Sequence, residues 1–141
     1  MTGRLGFAAV LLLLAVSPAR AQDLSAVVDR VAGAWGRGDA SGIVAHAART
    51  GISLDVDGDR VGPLAARQAA AVLRRLFDQR ETVSASAIKA RVVGGSPEKG
   101  FGEIAWVMRA RGTTIPERAT VVLALVREDD RWRVTEIRLM Q

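Results

Sequence analysis

The sequence predicts an α+β domain in which a curved, cone-like antiparallel sheet packs on three helices of the N-terminal half, in the order ααββαββββ. Three observations predict it. Apolar residues recur at intervals of three and four only in the stretch from Leu24 to Phe77. From Thr82 onward, runs rich in Val, Ile, Thr and Ala are separated by turn signals. Two of these runs change apolar parity partway, as a β-bulge makes them do, and bulged strands bend.

A leader precedes the domain. Arg4 and the amino terminus are positive, Leu5 to Val16 is apolar or Gly throughout, and Ser17-Pro18 interrupts it. Ala19-Arg20-Ala21 then places small residues where signal peptidase reads them. Residues 1–21 are expected to be a cleavable signal peptide, cut before Gln22, and residues 22–141 the mature domain. The apolar run is shorter than the ~20 residues a bilayer-crossing helix needs. Secretion or a periplasmic location follows, with no stable membrane anchor after cleavage.

Leu24, Val27, Val28, Val31, Ala32 and Trp35 share one stripe of a helix that begins near Ser25 and ends at Gly36 to Gly38. Asp39 caps a second, short helix carrying Ile43, Val44 and Ala47. Ile52 and Leu54 alternate with Ser53 and Asp55, and Asp57-Gly58 suits a tight type I′ hairpin. Pro63 is placed to open a third helix with Ala69, Val72, Leu73, Leu76 and Phe77 on its apolar face. Strands are expected over 82–93, 101–112, 117–127 and 131–140, joined by short turns into a meander. In the first, Val83, Ala85 and Ala87 give way to Ile88, Ala90 and Val92. In the last, Trp132 and Val134 give way to Ile137 and Leu139.

Composition narrows the chemistry. At 141 residues, 49% hydrophobic and 25% charged, the chain has room for one ordinary core. The absence of cysteine excludes disulfides and thiolate nucleophiles. A lone histidine without cysteine cannot build a structural zinc site. A calcium loop starting at Asp55 fails, since Arg60 and Ala66 stand where Gly and Glu are required. Neither a metal nor a cofactor is expected. Removing Arg4 and Arg20 with the leader lowers the net charge from +5 to +3, and the remaining arginines are scattered. Nucleic acid is therefore not expected as a partner.

The element order, the stretch Trp35-Gly36-Arg37-Gly38-Asp39-Ala40 and the final hairpin Leu123 to Val134 resemble the nuclear transport factor 2-like superfamily. This group is also called cystatin-like and is related to ketosteroid isomerase; the chain looks most like its small exported domains without an assigned function. The resemblance implies that enzymes of the group work inside the cone with an acidic base and Tyr, Asp or His donors. Here tyrosine is absent, and Val121, Val122 and Leu123 occupy the strand that would bring a second acid. An isomerase- or dehydratase-like enzyme would have to use Asp55 as base with His46 as helper. The favoured expectation is a non-catalytic domain that binds a small apolar ligand or a protein partner. Trp35, Leu73, Phe77, Trp106 and Met108 are its candidate pocket lining. Thr120 to Val126 is apolar on both faces, and the superfamily often pairs sheet to sheet, so a homodimer through the sheet is expected. A purely structural dimerisation module is the remaining alternative.

Overall fold

The structure is a computed structural model that describes residues 18–141. Most of the expected signal peptide therefore lies outside the described residues. Three helices, α1 (Pro18–Gly36), α2 (Ala40–Val44) and α3 (Ala66–Gln79), pack on six strands. These are β1 (Ile52–Val56), β2 (Asp59–Leu64), β3 (Arg80–Gly94), β4 (Lys99–Ala110), β5 (Glu117–Glu128) and β6 (Arg131–Met140). The order is the expected ααββαββββ. Among the described residues no helix is long and apolar enough to cross a membrane.

Helix α1 is already formed at Pro18, the first described residue, well before the expected start near Ser25. Its predicted stripe, Leu24 to Trp35, is buried. Asp39 accepts a hydrogen bond from the Gly42 amide at 3.0 Å and so caps α2. Pro63 does not open α3. It sits in β2, at the sheet's edge, where a missing N–H breaks no ladder, and α3 begins at Ala66.

The strands form one sheet in the order β2-β1-β6-β5-β4-β3. Neighbours are antiparallel except β1 and β6, which run parallel, so the expected antiparallel sheet is mixed. Five elements lie between these two strands, chain enough for the crossover that a parallel pair needs. Asp57 and Gly58 both have positive φ, the signature of the predicted type I′ turn between β1 and β2.

The bulges fall where the parity changes. Ladder register slips at Ile88 in β3 and at Thr135 in β6. Two further slips, at Val83 and Val93, were not foreseen. Val83, Ile88 and Val93 are the extra residues of their bulges and are more than half exposed, while Thr82, Ala85, Ala87 and Val92 turn inward.

Bent in this way, β3 and β4 wrap α1. Gly100 and Gly102 face the helix, and a Cβ on Gly102 would lie 2.6 Å from a Val28 methyl. The alternation Gly100, Gly102, Ile104, Trp106, Met108 thus lets α1 sit close at one end and packs large side chains at the other. There Trp35, Phe77 and Trp106 meet edge-on, with ring centroids 5.2 to 6.3 Å apart.

Candidate functional site

The five candidate lining residues, Trp35, Leu73, Phe77, Trp106 and Met108, belong to one core cluster and are between 0% and 7% exposed. At their depth the cone is filled by their own side chains, because three edge-on aromatic rings occupy the space between α1, α3 and β4. The Trp106 indole donates to the Thr82 hydroxyl at 2.9 Å. Trp35 Nε1 is buried without a hydrogen-bond partner among the described residues.

Asp55 and His46 are not brought together. Asp55 pairs in register with Arg138, on the face of the sheet opposite to buried Leu54 and Ile137. The Arg138 guanidinium lies 3.6 Å from its carboxylate. His46 follows α2, and its carbonyl accepts the Val134 amide at 2.7 Å. Val134 and Arg138 are four positions apart on β6, which corresponds to roughly 13 Å along a strand. A base on the outer face, already neutralised, has no reach into the cone.

Two clefts flank the core instead. The first opens where the end of α1, the start of β3 and the end of β4 converge, and measures about 290 Å³. Phe77 forms its floor, with Arg37, Arg80, Arg111, Glu81 and Thr82 around it. Arg80 is well buried, at 18% side-chain exposure, and holds Asp57 at 2.7 Å through Nη2. Its Nη1 has no partner among the described residues. Arg111 donates to the Phe77 carbonyl at 3.1 Å and is thereby turned back over the cleft. Glu81 is engaged by Arg109 at 3.6 Å, and Thr82 can still donate its hydroxyl proton because it accepts from Trp106.

The second cleft, about 430 Å³, lies between α1 and the β5–β6 turn. His46, Arg30, Arg131 and Arg133 line it with Asp23, Asp130, Ala26 and Val27. Burial holds the His46 pKa below its ordinary 6.5, and the Arg30 and Arg133 guanidinium charges push it the same way. Both effects favour the neutral imidazole. No sequence motif marks either cleft: the arginines are drawn from distant positions, and only their convergence in space distinguishes them from a solvated Arg-rich surface.

No protein-family model matches the chain, and no curated protein matches it. Solved structures do. A ketosteroid isomerase-like protein from Erwinia carotovora atroseptica superposes with TM-score 0.68 at 16% identity, over 85% of this chain and 94% of that one. A domain of unknown function with a cystatin-like fold from Nostoc punctiforme gives TM-score 0.66 at 15% identity, covering 89% of this chain and 78% of that one. An NTF-2 like protein of unknown function from Shewanella oneidensis gives 0.61 at 12% identity, covering 85% and 98%. Three helices against a bent six-stranded sheet, together with these likenesses, show that the chain has the nuclear transport factor 2-like, or cystatin-like, fold.

Proposed function

We propose that this is an exported, non-catalytic binding domain whose site is the cleft over Phe77, and that it takes a small molecule with an apolar body and one carboxylate. The observation that carries this reading is Arg80 Nη1, buried beside the cleft without a partner. A buried donor left unmade costs about 1–3 kcal/mol, which an incoming carboxylate would relieve. Arg37 and Arg111 add charge at the rim, and Phe77 offers an apolar floor. The ion-paired, outward position of Asp55 speaks against the isomerase alternative. Export rests on the leader pattern alone.

Trp35 and Trp106 contact Phe77, so their fluorescence reports on the cleft. Titration with medium-chain fatty acids and aryl carboxylates is expected to give a saturable change that their methyl esters do not. Arg80→Gln is expected to abolish it while the circular dichroism spectrum is unchanged. A flat titration for every carboxylate, or an Arg80→Gln response equal to wild type, refutes the assignment.

Self-association is a second reading, favoured by the outer face of β4 and β5. Ala105, Val107, Val122 and Ala124 are only partly covered there, beside Glu103, Glu136, Arg118 and Arg138. Both charge signs around a small apolar centre suit a two-fold self-complementary contact. Light scattering at high protein concentration tests it; the mass of a single chain throughout counts against it.

A further inference from the structure

We propose that the cleft between α1 and the β5–β6 turn is a separate site for a soluble phosphomonoester, with the phosphate held between Arg30 and Arg133 beside His46. It shares no lining residue with the cleft over Phe77 and does not depend on that assignment.

Charge is the first observation. Arg30, Arg131 and Arg133 line the cleft, and none is in an ion pair among the described residues. Asp23 and Asp130 line it too, also unpaired, so three positive charges face two negative ones and the lining carries one in excess. His46 adds none while neutral. An adjoining depression is lined by Asp29 and Arg30 of α1, by Arg37 just beyond its end, and by His46.

Fixation is the second. Arg133 Nη1 donates to the Ala45 carbonyl at 3.0 Å. The backbone beside it is held on both sides, Val134 N to His46 O at 2.7 Å and Ala48 N to Val134 O at 2.9 Å. The imidazole and this guanidinium are therefore carried on neighbouring, mutually bonded backbones, while Arg30 approaches from a separate helix. Donors arriving from two directions suit a group with three acceptor oxygens better than a planar carboxylate. The volume exceeds what a free phosphate fills, and Ala26 and Val27 offer the ester's organic part an apolar flank.

A bound dianion reverses the electrostatics around His46, turning a site that repels an imidazolium into one that favours it. Because His46 is the only histidine, its ring resonances report without assignment. Saturation with phenyl phosphate is expected to raise the His46 titration midpoint by about one unit, equivalent to tenfold tighter binding to the protonated form. Arg30→Gln, on the exposed side of α1, and Arg133→Gln are each expected to remove most of this shift. Arg80→Gln is expected to leave it intact, which separates failure here from failure of the first site. An unchanged midpoint with saturating phenyl phosphate overturns the proposal. So does an equal shift in the Arg30→Gln/Arg133→Gln double variant. A response to phosphatidic acid vesicles without one to phenyl phosphate overturns it in favour of a membrane surface, and displacement of phenyl phosphate by a short oligonucleotide at lower concentration does so in favour of nucleic acid.

Discussion

Gly102→Ala is expected to destabilise the domain although it adds a single methyl group to a strand. The new Cβ would lie 2.6 Å and 2.9 Å from the two Val28 methyls and 3.3 Å from the Lys89 carbonyl oxygen. Val28 is fully buried and sits in a helix, where a β-branched side chain has one strongly preferred rotamer and cannot swing aside. The strain must be relieved by lifting α1 from β4. Overpacking of this kind costs about 1–3 kcal/mol, and loss of glycine's backbone freedom returns about 0.5–1 kcal/mol. A net loss of about 1–2 kcal/mol corresponds to a melting point lower by roughly 4–8 °C for a domain this size. Gly100→Ala is the internal comparison. Its Cβ would meet a Leu24 terminal methyl at 2.9 Å and the Arg91 carbonyl oxygen at 3.1 Å. The Leu24 methyl is the longer contact and sits at the end of a more flexible side chain than Val28, so the smaller loss of the two is expected. Val28→Ala alone costs about 2 kcal/mol through two lost methyls. Combined with Gly102→Ala it is expected to cost no more, a coupling of about 1 kcal/mol or larger in urea unfolding. Additivity within about 0.5 kcal/mol, or a Gly102→Ala protein as stable as wild type, refutes the close helix–strand contact.

Three further outcomes follow. Asp39→Ala is expected to cost about 1 kcal/mol by removing the α2 cap, and Asp39→Ser to recover most of it in the same urea assay. His46 has a lowered pKa in the folded chain, so the unfolded chain takes up a proton first as pH falls; its stabilising contribution is complete above pH 6.5 and lost as pH drops through the folded value. Thermal melts from pH 7.5 to 5.5 are expected to show this loss in wild type and not in His46→Gln. Amino-terminal sequencing of the exported protein is expected to begin at Gln22. That processed form gives up the Arg20–Glu98 ion pair and the bond from the Trp132 indole to the Arg20 carbonyl, so its Trp132 N–H exchanges faster with deuterium than in the uncleaved chain.

Much of the architecture was legible because it is written in periodicity. Leu24 to Trp35 could only be one buried stripe, and the parity changes around Ile88 and Thr135 mark the register slips in β3 and β6. The parallel pairing of β1 with β6 was not legible, since nothing in Ile52 to Val56 encodes the direction of its neighbour. Gly100 reads as the end of the loop that Gly94 and Gly95 begin, and Gly102 falls in the expected strand 101–112 with nothing in the sequence to say that a helix presses against it. Trp35, Phe77 and Trp106 are buried, but an apolar pattern does not say whether the space between them is hollow. Arg30, Arg80 and Arg133 were missed because charge convergence is a property of the folded surface. A scatter of arginines along a chain carries no trace of which ones meet.

The three slips along β3 have a consequence for the molecule's behaviour in a crowded compartment. β3 is the outer rim of the sheet, and at Val83, Ile88 and Val93 the spacing of its free N–H and C=O groups falls out of step with any regular strand laid beside it. Along this edge, regular strand-on-strand pairing is interrupted at every fifth residue despite the aliphatic side chains displayed there. Replacing those side chains would leave the blockade standing; only removing all three extra residues would give this edge a continuous template.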